Sequence, residues 1–286
     1  MTNILITGAN GQLGSEINAI APKYDKYNFF FTDVKALDIT NKEAVQNYLT
    51  NNSINTIINC AAYTAVDKAE SEPALANNIN HLAVANFAQL AKDKNIKLIH
   101  ISTDYVFDGT AHTPYVETDL PNPPSVYGKT KLAGEQAMQK INPANSIIIR
   151  TSWVYSKYGN NFVKTMLRIA KERDEINVVA DQIGTPTNAA DLAQAILAIL
   201  PKIKNEEVEL YHYSNEGVCS WYDFAKAIFE IKGLTIQVYP IETSQYPTPA
   251  KRPFYAVLKK GSIKERYKIT IPYWKDSLFV CMDKMT

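Results

Sequence analysis

Two side chains four residues apart, Tyr127 and Lys131 in Tyr127-Gly-Lys-Thr-Lys131, carry the clearest chemistry in this sequence. On a helix that spacing makes them neighbours on one face. A phenol with its ordinary pKa of ~10 is a poor acid–base catalyst at neutral pH. An adjacent ammonium favours the phenolate and lowers that pKa toward the working range. The pair therefore suits proton transfer to or from a carbonyl or alcohol oxygen, although Tyr-x-x-x-Lys taken alone also describes many exposed helix starts. Upstream, Ser102-Thr103 closes an apolar run, Lys97-Leu-Ile-His-Ile-Ser102, that reads as a strand. A hydroxyl at that strand end can hydrogen-bond the oxygen that Tyr127 protonates. Thr103, Tyr127 and Lys131 are the catalytic candidates. His100, inside the same strand, reads as a packed core histidine.

A second constellation lies at the start of the chain. Ile4, Leu5 and Ile6 form a short apolar run, and Gly8, Gly11 and Gly14 follow at three-residue spacing before an amphipathic stretch with Leu13, Ile17 and Ile20. A strand that turns on glycines into a helix presents bare backbone N–H groups and a positive dipole end, where a pyrophosphate binds without a basic side chain. The spacing departs from the usual Gly-x-Gly-x-x-Gly fingerprint. Asp33 closes the next apolar run 19 residues after Gly14, near the ~20-residue offset at which a carboxylate meets the adenosine ribose. That favours NADH, whereas Lys35 pulls toward NADPH, so both cofactors stay open. Asp33 can also be read as a turn residue.

The elements that must position these residues alternate in type. Strands are expected at Tyr27–Thr32, Thr56–Cys60, Lys97–Ser102 and Ser146–Arg150. Thr40-Asn-Lys-Glu43 reads as a capping box opening a helix to about Leu49. Pro73–Asp93 reads as a long helix burying Leu75, Ile79, Leu82, Val84, Phe87 and Leu90, and another helix begins near Tyr127. Further helices are expected at 160–171, 189–200 and 221–231, with short extended segments at 177–179 and 235–239. This pattern implies an α/β fold: a Rossmann-like, doubly wound parallel sheet with a smaller C-terminal substrate-binding lobe. Residues 1–150 and roughly 160–214 form the nucleotide-binding domain, and 151–159 with 215–286 form the lobe. In such sheets ligands gather at the carboxyl edge, and a cleft between lobes is where a substrate sits.

Composition narrows the partners. Thirty basic against 29 acidic residues give a net charge of +1, with no dense basic run to grip nucleic acid or a membrane surface. No stretch approaches the ~18 apolar residues of a membrane span. Residues 1–20 lack a basic segment followed by an apolar one, so a cytoplasmic protein is expected. Cys60, Cys219 and Cys281 are odd in number and not spaced for a metal.

The combination of Thr7-Gly-x-x-Gly-x-x-Gly14, Ser102-Thr103 and Tyr127-x-x-x-Lys131 resembles the extended short-chain dehydrogenase/reductase family. The more specific stretches are Leu37-Asp-Ile-Thr40, Asn59-Cys-Ala-Ala-Tyr-Thr-Ala-Val-Asp-Lys-Ala-Glu70, Ser102-Thr-Asp-Tyr-Val-Phe-Asp-Gly109, Arg150-Thr-Ser-Trp-Val-Tyr155, Gly184-Thr-Pro-Thr187 and Arg252-Pro253. They resemble the members that reduce the 4-keto group of dTDP-4-dehydro-L-rhamnose. The resemblance implies a hydride from NADPH or NADH and a proton from Tyr127, with Lys131 holding the nicotinamide ribose and depressing the Tyr127 pKa, and Thr103 orienting the carbonyl. It places Gly8, Gly11, Gln12, Leu13 and Gly14 at the pyrophosphate, and Asp38 and Ile39 near the adenine. It puts Ala61, Ala62 and Tyr63 beside the nicotinamide half, and Asp104, Tyr105 and Trp153 at the sugar nucleotide. Arg252 is read from its charge and loop position as a partner for the substrate diphosphate. The resemblance also implies a homodimer and magnesium at a dimer contact; Glu16 and Asp191 are the only acidic candidates, and the sequence does not support a metal site. Two other functions share these motifs: a nucleotide-sugar epimerase or 4,6-dehydratase, and a non-catalytic nucleotide-binding regulatory subunit. A 4,6-dehydratase would place Asp-Glu after Thr103, where Asp104-Tyr105 stands.

Overall fold

The computed structural model describes residues 2–285; Met1 and Thr286, the ends of the two sequence-assigned parts, lie outside them. The N-terminal half alternates strand and helix: β1 (Thr2–Thr7), α1 (Gln12–Ile20), β2 (Tyr27–Thr32), α2 (Lys42–Asn51) and β3 (Thr56–Asn59). Then come α3 (Val66–Ala69), α4 (Pro73–Asn77), a π-helical turn (Asn78–Leu82), α5 (Ala83–Lys94), β4 (Lys97–Thr103), α6 (Val126–Ile141) and β5 (Ile147–Thr151). The remainder holds β6 (Val154–Tyr155), α7 (Phe162–Ile169), β7 (Glu175–Val179), β8 (Ile183–Gly184), β9 (Thr187–Asn188), α8 (Ala189–Ile199) and β10 (Glu209–His212). It ends with β11 (Cys219–Ser220), α9 (Trp221–Lys232), β12 (Gln237–Ile241), α10 (Gly261–Tyr267) and α11 (Trp274–Asp283).

Six strands form one parallel sheet in the order β10-β5-β4-β3-β1-β2. Ile6, Ile58, Ile99 and Ile147 stand side by side in register, and all four enter the core beneath α1 and α8. Their alternates Leu5, Ile57 and Leu98 enter the opposite core, under α2, α5 and α6. A strand buried on both faces must be apolar at consecutive positions, as Ile4-Leu5-Ile6 is. Burying each such side chain contributes about 1.5–3 kcal/mol. Because β2 and β3 lie on opposite sides of β1, the connections leaving β1 and β3 diverge, opening a crevice at the carboxyl edge.

Several elements differ from expectation. The α2 cap is Asn41, whose side chain accepts from the Ala44 amide; Thr40 instead donates to Asp38. The long helix from Pro73 is interrupted by the π-helical turn, which shifts its face. Leu75 and Leu82 are 46% and 45% exposed rather than buried, while Ala76, Asn80, Val84 and Phe87 point inward. β10, a mixed Glu-Leu-Tyr-His strand, was not foreseen and pairs with β5 at the sheet edge. Residues 160–179, expected in the nucleotide-binding domain, pack in a third core with α9 and α11, and β7 pairs with β12 of that lobe. Conversely α10 of the C-terminal part sends Ile263 and Tyr267 into the core under α1 and α8.

Candidate active site

A cleft of about 840 Å³ lies along the carboxyl edge of the sheet, lined by the loops after β1, β3, β4 and β5 and the start of α6. At its near end Gly8 holds a left-handed backbone (φ 64°), a conformation that favours glycine. A Cβ there would come within 2.7 Å of the Ala61 amide. Gly11 caps α1 with no side-chain acceptor, its own amide donating to the Gly8 carbonyl, so the amides that open the helix at Gln12 and Leu13 and its dipole end are left for a ligand. That cradle fits a dinucleotide pyrophosphate. Gly11, Gln12 and Leu13 line it. Gly14 does not; it is where α1 closes on the loop, a Cβ meeting the Gly8 carbonyl at 2.4 Å.

Asp33, Asp38 and Ile39 line the next part of the cleft. Both Asp33 oxygens have partners: one accepts from the Lys35 and Ala36 amides at 3.0 and 3.1 Å, the other from Asn10 Nδ2. Asp33 is thus a turn residue and a cleft residue at once. Ala61 and Ala62 line the wall. Tyr63 is the exception: its hydroxyl donates to Glu72 at 2.6 Å, and it is absent from the cleft wall. Its backbone is clamped from both sides by Asn80, whose side chain also donates to Thr130 on α6.

Thr103, Tyr127 and Lys131 meet at the centre. Ser125 caps α6 by accepting from the Gly128 amide at 3.1 Å, which sets Tyr127 and Lys131 on the helix face toward β4. Tyr127 is 8% exposed, and the Tyr105 ring meets it edge-on with centroids 5.4 Å apart. Burial pushes the Tyr127 phenol well above its ordinary range, with the Thr103 hydroxyl pulling the other way. This corrects the expected lowering by Lys131. That ammonium is 1% exposed and donates to the Ile101 carbonyl at 2.6 Å, and burial lowers its pKa to about 8 against the pull of Glu135. Beneath it Glu135 forms a buried ion pair with Arg150 at 2.6 Å and accepts from Ser102 Oγ at 2.5 Å, tying α6, β5 and β4 together.

Thr103 ends β4, accepts from the Tyr105 amide and donates to Asp104 Oδ1 at 2.9 Å. Asp104 is buried, its carboxyl pushed up to about 7, and its Oδ2 has no partner. Asp104, Tyr105 and Trp153 all line the cleft. Arg252 does not. Its guanidinium binds Asp67 at 2.7 Å and the Tyr105 hydroxyl at 2.8 Å, bridging the C-terminal loop to α3. His100 is fully buried with Nδ1 on Asn59. Sequence reasoning missed the 154–161 loop, where Asn161 donates to Gln12 Oε1 and Gln12 donates to the Val154 carbonyl. The Asn160-Asn161 pair ahead of α7 was the available signal.

Glu16 and Asp191 do not form a metal cage. Glu16 accepts from Ser156, Asp191 accepts from Asn215 and Ser277, and no group of three or more His, Cys, Asp or Glu gathers among the described residues. Nor is any helix among them long and apolar enough to cross a membrane.

The family described as "RmlD substrate binding domain" matches residues 1–286. A dTDP-4-dehydrorhamnose reductase of Aggregatibacter actinomycetemcomitans is 43% identical, over 97% of both chains. The chain belongs to the RmlD family, that of the dTDP-4-dehydrorhamnose reductases. Solved structures agree: one from Clostridium acetobutylicum superposes with a TM-score of 0.94 at 44% identity, covering 99% of both chains. Another from Bacillus anthracis, in complex with NADP, reaches 0.93 at 41% identity, covering 99% of this chain and all of that one. A dTDP-glucose 4,6-dehydratase shares the fold at a TM-score of 0.83 but only 19% identity. The RmlD match runs the whole chain, so the C-terminal segment belongs to the family as fully as the glycine loop does.

Proposed function

We propose that this chain is an NADPH- or NADH-dependent oxidoreductase reducing the 4-keto group of dTDP-4-dehydro-β-L-rhamnose to dTDP-L-rhamnose, the last step of dTDP-rhamnose synthesis. The observation that carries the reading is the gathering of Thr103, Tyr127 and Lys131 in the cleft that also holds the uncapped start of α1.

The bound reduced nicotinamide supplies a hydride to the keto carbon. The chain's own residues do the rest. Gly8, Gly11, Gln12 and Leu13 hold the diphosphate, with Asp33, Asp38 and Ile39 along the adenosine half and Ala61 and Ala62 along the other. Thr103 orients the keto oxygen once its hydroxyl turns from Asp104 Oδ1 to donate to it, and Tyr127 Oη donates the proton to it. A phenol whose pKa is raised stays protonated across the physiological range, which suits a donor in the reductive direction. The phenolate left behind is stabilised by the Lys131 ammonium, four residues on along the same helix. The unpartnered Asp104 Oδ2 accepts from a sugar hydroxyl, relieving a buried orphan acceptor. Tyr105 and Trp153 flank the sugar, and Arg252 reaches the diphosphate with the N–H groups not used on Asp67 and Tyr105. In this reading residues 1–150 hold the cofactor and carry the proton-transfer residues, and 151–159 with 215–286 complete the enclosure of the sugar. The same reading carries a cytoplasmic homodimer, whose test is the solution mass.

The test follows nicotinamide absorbance with the keto sugar and each cofactor. Tyr127→Phe is expected to lower kcat by roughly 100- to 10,000-fold while cofactor affinity holds. Near-normal turnover in that variant sinks the proton-donor role, and cofactor binding without turnover in the native chain sinks the reductase reading.

A further inference from the structure

Trp153 stands just past the end of β5 with a left-handed backbone, φ 48°. A bulky residue is rarely held there, so something must over-determine its position. Two contacts do. Trp221 stacks on it with ring centroids 3.6 Å apart and planes 12° from parallel. At the indole edge sits Gly184, where a Cβ would lie 2.6 Å from Trp153 Cε2; no other residue leaves that space. The two contacts share one support, since β11 pairs antiparallel with β8, setting Cys219 opposite Gly184 and Ser220 opposite Ile183. Trp221 follows directly as the first residue of α9. The helix is fixed there by a reciprocal cap in which Ser220 and Asp223 each accept from the other's amide. Behind Trp221 the Phe162 ring packs at 4.7 Å and itself stacks on Phe224 at 5.5 Å. Trp153 lines the cleft, and Trp221 does not.

We propose that Trp221 is a positioning residue that acts on the substrate only through Trp153. One face of the Trp153 indole is given to Trp221, leaving the rest as a rigid apolar wall of the cleft. That wall sets the preference for a sugar carrying a methyl rather than a hydroxymethyl group at its exocyclic carbon. A hydroxyl against an indole has no acceptor and gives up its hydration, whereas a methyl gains from the contact. This rests on the reading that the sugar sits against Trp153. Without Trp221 the indole would be free to tilt into the vacated space, and the cleft would lose its fixed depth.

The test uses the full-length chain with Trp221→Phe, Trp221→Leu and Trp153→Phe. Stacked indoles give a coupled circular-dichroism band, expected in the native chain and lost in all three variants. Trp221→Leu is expected to raise KM for the keto sugar roughly tenfold with little change in kcat or in cofactor affinity. Trp221→Phe, which keeps a ring under Trp153, is expected to recover most of that loss. The native chain is expected to bind dTDP-L-rhamnose roughly tenfold more tightly than dTDP-L-mannose, and Trp221→Leu to bring that ratio close to one. A Trp221→Leu variant that loses the coupled band yet keeps the native KM and affinity ratio overturns the proposal. If Trp221→Leu fails to bind cofactor, the same measurements on Trp221→Phe decide: a lost band with no rise in KM and an unchanged ratio overturns it. A native chain that never turns over the keto sugar overturns the reductase reading instead.

Discussion

Burial pushes the Tyr127 phenol up and the Lys131 ammonium down to about 8, and both shifts have one origin, the exclusion of water where α6 meets β4. The Asp104 carboxyl is raised to about 7 by the same exclusion. Tyr127 is therefore protonated wherever the protein functions and contributes no limb to a pH profile of reduction. Lys131 loses its charge as pH rises through about 8, and Asp104 loses its carboxylate as pH falls through about 7. The expected kcat/KM profile is a narrow bell with limbs near those values. Asp104→Asn should remove the acidic limb and leave the alkaline one, read from initial rates across pH. An acidic limb surviving in that variant would assign it to another group.

At the scale of the element, the contact of α1 with the glycine loop is a tight steric constraint on the cofactor cradle. Gly14→Ala would set a methyl 2.4 Å from the Gly8 carbonyl and 2.6 Å from Ala9 Cα, both backbone atoms with no rotamer to yield. The expected cost is about 1–3 kcal/mol of stability and a weaker affinity for the dinucleotide, measurable by thermal unfolding with and without cofactor. An unchanged midpoint in both conditions would show that α1 can shift freely. These close contacts were legible because they are local: the glycine spacing, the Tyr–Lys interval and the apolar strands each span only a few residues. The exposed Leu75 and Leu82 were not, because a π-helical turn leaves no mark in apolar periodicity. β10 was hidden because its Tyr211 and His212 are buried by distant partners rather than by an apolar pattern of their own; His212, for instance, bonds the Tyr115 carbonyl at 3.1 Å. From charge and loop position Arg252 reads only as a partner for the substrate diphosphate, because its ion-pair partner Asp67 lies 185 positions away in sequence. Tyr63 was read as facing the cofactor although its partner Glu72 is only nine residues on.

For the whole molecule, the Asp67–Arg252–Tyr105 bridge joins the N-terminal half to the C-terminal loop. Its guanidinium holds the Tyr105 hydroxyl, and Tyr105 in turn packs against Tyr127, so the bridge connects the lobe to Tyr127. Arg252→Ala should raise KM for the sugar nucleotide roughly tenfold, the scale of one lost charge-assisted hydrogen bond, with cofactor affinity unchanged. A native KM in that variant would remove Arg252 from substrate binding. The lobes are joined more deeply elsewhere, by the core under α1 and α8. Five of the six sheet strands are complete by Thr151, yet their Ile6, Ile58, Ile99 and Ile147 face is covered by Leu192 to Ile203 and then by Ile263, Tyr267 and Ile271. A ribosome making this chain at ~5–20 residues per second would expose that greasy surface for on the order of ten seconds before its last cover emerged. The nascent polypeptide, rather than the finished enzyme, is therefore where aggregation and chaperone capture should concentrate.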